Sequence, residues 1–523
     1  MSILLNGSHE TITHRDQLVA YFASGEKPKA KWRIGVEHEK FPYRLATLTP
    51  PSYDEAQGLR DVMQGMQAYG WQPIMEGAHI IGLTRGQAAI TFEPGGQIEL
   101  AGAPLATLHE TAAELEQHLQ EVCAVADKLG IGFLGLGFHP TATREAIPWV
   151  PKGRYAIMRQ YMPKVGGHGL DMMLRTCTVQ VNLDFADEAD MRQKFRVALA
   201  VQPVVTALFA SSPFTESKPN GFNSYRMQMW QDTDNARSGA PEFVYESGFG
   251  YERYTDYALD VPMYFVYRDG QYIDCAGQSF RDFMAGKLPA LMGEQPTMTD
   301  WANHLTTLFP DVRLKKIVEM RGADAGNAAM LQALPSIWVG LMYDQTALDG
   351  AGALVKGWSA ADRAKLRTDV LRHGLRAEIG GRSLLDVARD LVTLSQQGLR
   401  RRAVRSTSGA IESPSPWGGV RGGVAGQDNP ALSNIALNGG HHPAPSPSPR
   451  GGGLHRVGGN LPSTSYQQSF NSEADETRYL EPLFDIIMAW ENRADELLKQ
   501  FGAGAFDAAG FFNACRLLPE KNA

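Results

Sequence analysis

The chain has 523 residues, 43% hydrophobic and 20% charged, with a formal net charge of −7. Such a composition buries a large core, and the length allows two or more domains or one elaborate one. The acidic balance and the lack of a sustained basic block exclude nucleic acid and an anionic membrane surface as principal partners.

No run approaches the length of a membrane span. The opening Met1-Ser2-Ile3-Leu4-Leu5-Asn6-Gly7 lacks the basic and apolar regions of a secretory signal. The four cysteines, Cys123, Cys177, Cys275 and Cys515, are scattered and form no CxxC pair. Zinc and a disulfide framework are therefore not expected. Reduced, buried thiols and a cytoplasmic location are.

In chain order, 16–23 reads as an amphipathic helix. Within Trp32-Arg33-Ile34-Gly35-Val36-Glu37-His38-Glu39-Lys40-Phe41 the apolar and polar residues alternate as in a strand. Glu37 and Glu39 then share one face, about 6.5 Å apart at the usual strand rise. Two unneutralised charges so placed repel by roughly 2–3 kcal/mol at an effective dielectric of about 20, a repulsion that a cation between them converts into binding.

Residues 53–69 read as a second helix, ending at Gly70, and 88–101 as two short strands around the turn Pro94-Gly95-Gly96. Leu105, Leu108, Leu115, Leu119 and Val122 have helical spacing up to Gly130, and 131–138 resembles a buried strand. Further strands are expected at 174–185, 261–267 and 311–321, with a helix over 186–210. From 406 to 470 repeated Pro, Gly and Ser leave no periodic apolar face, which predicts a disordered insertion. Helical sequence resumes near 474 and continues through Leu497.

The strands share one design. In 174–183 one face carries Thr176, Thr178, Gln180 and Asn182; the other carries Cys177, Val179, Val181 and Leu183. In 312–321 one face collects Arg313, Lys315, Glu319 and Arg321; the other has Val312, Leu314, Val318 and Met320. Glu93 precedes the Pro-Gly-Gly turn and Glu99 follows it. A wet sheet face would explain polar residues in general; carboxylates concentrated near one end fit a functional cation site equally well, and both readings stand on the residues alone. Oxygen donors without Cys or a paired-His motif favour Mg²⁺ or Mn²⁺ over zinc. Magnesium held by few carboxylates shares its coordination with phosphates, which points to phosphoryl transfer from ATP. Gly130-Ile131-Gly132-Phe133-Leu134-Gly135 fits GxGxxG, but it follows a helix and enters a strand, the reverse of a dinucleotide fold.

Seven segments carry a resemblance: 35–41, 92–100, 151–155, 161–185, 212–215, 260–265 and 304–324. On them the chain resembles glutamate–cysteine ligase of the plant and proteobacterial type, over roughly 13–405 and more loosely from about 474. The resemblance implies an α+β, glutamine-synthetase-like fold: a curved antiparallel sheet with helices on its outer face. It implies a catalytic domain over 1–405, the insertion 406–470, and a helical segment 471–523 packed on the catalytic domain.

It further implies that ATP phosphorylates the γ-carboxylate of glutamate and that the cysteine amine displaces phosphate, the first step of glutathione biosynthesis. Glu37, Glu39, Glu93, Glu99 and Glu319 resemble magnesium ligands, with Gln180 on the same face. Arg154 and Arg226 match positions that hold the α-carboxylate of glutamate, and Tyr264 one lining the cysteine pocket. Arg321 and Glu319 match catalytic positions, and Lys152, Arg313 and Lys315 match nucleotide-phosphate contacts. Feedback inhibition by glutathione is also implied; separately, a monomer is expected because no association surface is evident in the sequence. The rival readings are another γ-glutamyl amide ligase of the same fold, or a non-catalytic sensor of glutamate or nucleotide.

Plant members carry cysteines where Ala112 and Gln332 stand here, and of a second plant pair only Cys275 remains, with Ala290 opposite. No thiol switch is therefore expected at these positions. Activity should be unchanged after mild oxidation followed by reductant, and a large reversible change would count against this.

Overall fold

The computed structural model describes residues 10–408, 475–489 and 491–518. The Pro/Gly/Ser-rich stretch lies, from 409 onward, outside the described residues. Nine antiparallel strands form the main sheet of the described residues. They are β1 (Ile34–Arg44), β2 (Gln72–Glu76), β3 (His79–Arg85), β4 (Ala88–Phe92), β5 (Ile98–Ala101), β6 (Ile131–Leu134), β7 (Thr178–Leu183), β8 (Val312–Leu314) and β9 (Val318–Asp324). Their order is β8-β9-β7-β1-β5-β4-β3-β2, with β6 pairing the far half of β1, Phe41 opposite Leu134. The sheet is open and the fold is α+β, as expected.

The principal helices are α1 (Leu108–Lys128), α2 (Gly153–Tyr161), α3 (Glu188–Phe209), α4 (Tyr225–Met229), α5 (Ala328–Met342) and α6 (Leu384–Ser408). Apolar side chains of the central strands, among them Val36, Leu100, Val179, Val181, Val318 and Met320, are buried. Helix α3 packs against β9, α5 against β7 and β1, α1 against β6 and β1, and α6 covers α5. Each fully buried aliphatic of this layer contributes about 1.5–3 kcal/mol. Thr107 starts α1 with a capping box, its hydroxyl accepting from the Glu110 amide at 3.1 Å.

Several boundaries differ from the sequence expectation. The helix expected over 53–69 spans Leu59–Met66 plus one tight turn to Tyr69. Before it, the amides of Gly58 and Leu59 bond back to Glu55 and Ser52 and close turns instead. The strand expected over 174–185 begins at Thr178, because Gly169–Arg175 is helical, and that over 261–267 is Phe265–Arg268. The strand expected over 131–138 stops at Leu134, where a side chain on Gly135 would strike Gly326. The strand expected over 311–321 is a hairpin, β8 and β9 turning through Lys315-Lys316-Ile317. Its pairs are Val312 with Met320, Arg313 with Glu319 and Leu314 with Val318, so both strands keep the same two faces. The single helix expected up to Leu497 is broken into Glu481–Ala489 and Arg493–Phe501, the second capped by Asn492, whose side chain accepts from the Asp495 amide.

Chain after the Pro/Gly/Ser-rich stretch returns to the sheet edge. Leu497, Phe511 and Phe512 join Phe41, Tyr43 and Leu134 in one buried cluster, and the Leu517 amide donates to Phe133 O at 2.8 Å. Helices α5 and α6 approach at Gly340 and Gly398, where a Cβ on Gly398 would collide with the Gly340 carbonyl. Gly398→Ala should lower stability by roughly 1–3 kcal/mol through overpacking. The check is a lower thermal midpoint; an unchanged one would show that the two helices can separate freely.

Candidate active site

Strand register, more than any single motif, assembles the polar face. Arg313 stands opposite Glu319, Glu319 opposite Asn182, Gln180 opposite Glu37, Glu39 opposite Glu99, and Glu99 opposite Thr91. Partners in register point to the same side. A row of carboxylates, amides and guanidinium groups therefore runs across β8, β9, β7, β1, β5 and β4, as the alternation in each strand predicts.

The row has two electrostatic centres. At one, Glu319 is fully buried. It accepts from Arg313 Nε at 2.5 Å and Nη2 at 2.9 Å, accepts from Arg321 Nη1 at 3.1 Å, and has Lys315 Nζ at 3.5 Å. Burial works against its charge, yet Arg313, Lys315 and Arg321 hold the carboxyl well below the usual range. Arg321 also donates to Gln180 Oε1 at 2.5 Å, and Asn182 donates to Glu37 Oε1 at 2.8 Å.

At the other centre, Glu39 accepts from the Thr178 amide at 2.9 Å and Glu99 from the Thr91 hydroxyl at 2.7 Å. Burial first, then the charges of Glu93 and Glu99, push the Glu39 carboxyl well above its ordinary value, with Arg226 opposing. Glu93 is held by the turn that follows it. Gly96 has φ +84°, Gly96 N bonds Glu93 O, and Gln97 Nε2 ties the turn to Met173 O and Thr176 O at 3.2 and 3.0 Å. Gly96 adopts the left-handed conformation that a residue with a Cβ resists.

Glu39, Glu93, Glu99, Arg154, Gln180, Arg226, Arg313 and Arg321 line one cavity. A second cavity of about 840 Å³ includes Glu37, Asn182, Lys315 and Tyr21, and Thr306 borders both. Two residues lie elsewhere than the sequence grouping placed them. Lys152 is buried beside Glu93, Glu99 and Glu76, at the end away from Arg313 and Lys315; burial, then Arg154, pulls its ammonium down to about 8. Tyr264 is not among the lining residues of either cavity: its ring packs under Arg237 and its hydroxyl reaches Asp234 Oδ2 at 3.4 Å. Among the described residues no three His, Cys, Asp or Glu side chains converge closely enough to hold an ion alone. The all-oxygen donor set fits a hard divalent cation that keeps water and substrate oxygens in its coordination.

Sequence reading missed Thr306, Trp230 and Phe309, all in the cavity wall. It also missed Asp324. Simple alternation would put Asp324 with Val318 and Met320 on the helix side. A bulge between Met320 and Ala323 adds one residue, so that Asp324 pairs with Thr178 on the polar side. Gly322 inside a strand was the available signal.

A buried carboxylate and guanidinium face on an open antiparallel sheet is equipment for joining anionic substrates with the help of a cation, the work of an ATP-dependent ligase. The family model of glutamate–cysteine ligase family 2 (GCS2) matches residues 33–413, and the chain belongs to that family. The chloroplastic glutamate–cysteine ligase of Brassica juncea is 56% identical over 391 residues, 75% of this chain and 76% of that protein. That of Solanum lycopersicum is 55% identical over 399 residues, 76% of each. The glutamate–cysteine ligase of Francisella tularensis, solved in complex with AMP, aligns with a TM-score of 0.43 at 15% identity over 71% of this chain and 78% of that one, too distant a likeness to argue from. The cytoplasmic location expected from the sequence is corrected by these names, since the similar plant proteins are chloroplastic.

Glu319→Gln should destabilise the protein by about 3 kcal/mol or more, because it leaves buried Arg313 without its countercharge. Urea unfolding measures this, and an unchanged midpoint would mean that the carbonyls of Thr306 and Leu308 satisfy Arg313 unaided.

Proposed function

We infer that the chain joins L-cysteine to the γ-carboxylate of L-glutamate at the expense of ATP, the first step of glutathione biosynthesis. The observation that carries this reading is one face on which Arg226 and the carboxylates of Glu39, Glu93 and Glu99 share a cavity that adjoins a larger one at Glu37 and Lys315. The first suits glutamate, the second the nucleotide.

Arg226 is buried and lines the cavity, and its Nε has no hydrogen-bond partner among the described residues. A buried guanidinium donor left over is what a substrate carboxylate needs. Arg154, over the ring of Phe265 at 5.3 Å, stands on the same wall and is assigned to the same carboxylate. Arg321 is oriented by Gln180 and Glu319 and would meet the transferring phosphoryl group. Lys315 serves the nucleotide end. The ion pairs of Glu319 make it the anchor of Arg313 and Arg321 more than a free metal ligand. Tyr264 lies outside the lining, so we keep it as a support of the cysteine side through Tyr161, whose ring meets it at 5.6 Å.

Glu39, Glu93 and Glu99 would hold Mg²⁺ at the glutamate end, and Glu37 would hold it at the nucleotide end. An ion held by these carboxylates, together with water and substrate oxygens, would supply charge neutralisation between the substrate carboxylate and the polyphosphate. The protein's own part is positioning and electrostatics, with no protein nucleophile.

ADP release measured with ATP and glutamate should require L-cysteine, with ammonia and other amino acids giving little. Equal rates with other amines would favour a different γ-glutamyl ligase, and no turnover at all a sensor. Glu39→Gln should cut the rate on the order of a hundredfold by removing cation stabilisation; full activity would sink the metal assignment.

A pH dependence follows from Glu39. Its folded-state pKa is raised, so the metal-free folded protein keeps a proton that the unfolded chain has already released. The stability contributed by that proton is present at low pH and lost as pH rises through the folded value. Cation binding must expel the proton, so the Mg²⁺ concentration for half-maximal rate should fall as pH rises, by up to about tenfold per unit below that value. Glu39→Gln should flatten this dependence, and an unaltered slope in the variant would assign the titration elsewhere.

A further inference from the structure

The β9 bulge is connected to the substrate arginine. Asp324, brought to the polar side by the bulge, is fully buried, near enough to Arg226 to feel its charge. Its Oδ2 accepts from the Ser212 hydroxyl at 2.6 Å and the Ser211 amide at 3.0 Å. Its Oδ1 accepts from the Ser224 hydroxyl at 2.8 Å. Ser224 is the residue before α4, and its oxygen caps that helix by accepting from the Met227 amide at 3.3 Å. Ser212 Oγ in turn accepts from the backbone amide of Arg226 at 3.3 Å. The far end of Arg226 returns to the bulge, Nη2 donating to the Arg321 carbonyl at 3.1 Å.

Both ends of Arg226 are thus fixed by residues 321–324. We propose that Asp324 is a positioning residue for glutamate: through Ser212 and Ser224 it holds the start of α4, and with it the angle at which Arg226 presents its guanidinium to the substrate carboxylate. The proposal rests on the reading that Arg226 binds glutamate. A carboxylate is required because all three neighbours donate to it. Asn offers one oxygen and turns an amide N–H toward donors, so at least one of those bonds is lost in a buried site. Carboxylate recognition depends on guanidinium angle as well as charge, so the loss falls on glutamate more than on ATP.

The test is steady-state ADP release for Asp324→Asn, Ser224→Ala and Arg226→Lys, with each substrate varied in turn, and glutamate binding by calorimetry. Asp324→Asn should raise KM for glutamate about tenfold and that for ATP less than about threefold. Ser224→Ala should shift glutamate alone in the same direction by a smaller factor, Ser224→Thr should restore it, and the Asp324→Asn/Ser224→Ala double variant should be little worse than Asp324→Asn. A folded Asp324→Asn with unchanged glutamate KM, or one that weakens ATP and glutamate equally, overturns the positioning role. If Asp324→Asn does not fold, unchanged glutamate KM in Ser224→Ala overturns it instead. Arg226→Lys with unchanged glutamate affinity would refute the parent reading itself, whatever Asp324 does.

Discussion

Burying carboxylates beside one another is the constraint on which this molecule turns. Glu37, Glu39, Glu93, Glu99 and Glu319 lie on one sheet face backed by helices, where water cannot screen them fully. The protein meets the cost in two ways. Glu319 is compensated within the chain by Arg313, Lys315 and Arg321, which makes that half of the face rigid. Glu39 lies beside Glu93 and Glu99, so that burial and their charges push it toward its protonated form, with Arg226 opposing. The first centre holds its arginines in place; the second crowds Glu39 against two further carboxylates. A ligase that brings a carboxylate against a polyphosphate has use for both.

The apolar side of the sheet makes this possible. Val36, Val179, Val181, Val318 and Met320 seat β1, β7 and β9 on α3 and α5, so the strands cannot slip by one residue without turning every carboxylate into the core. Register is therefore pinned by hydrophobic burial, and the charged face inherits its geometry from the uncharged one. The same side also takes Lys40, whose buried ammonium donates to Ile98 O at 3.3 Å and is drawn down to about 8 by burial.

Much of this could be read from alternation. Glu37, Glu39, Gln180, Asn182, Arg313, Glu319 and Arg321 were all placed on one side by period two. That held even though 311–321 is a hairpin, because a pairing in which Val312 meets Met320 keeps parity across the turn. Alternation failed at Asp324, where the bulge inserts a residue, and it could not separate Lys152 from Arg313 and Lys315, which lie at opposite ends of the face. The helix limits near Gly58 and Asn492 escape sequence periodicity because a turn at the first and a side-chain cap at the second are local features.

The sequence by itself determined the strand faces, the oxygen-only donor set, the buried thiols and membership of the glutamate–cysteine ligase family, because these depend on residue type and on spacing along the chain. Only the tertiary structure decided that Glu319 is neutralised by Arg313, Lys315 and Arg321 while Glu39 is crowded by Glu93 and Glu99. It alone brought Ser212, Ser224 and Asp324 together around Arg226, and it alone set the Tyr264 ring against Arg237. Those outcomes depend on strand order, a bulge and helix packing. Contacts between residues a hundred or more positions apart leave no periodic trace in the chain, since their energies are set by distance and burial.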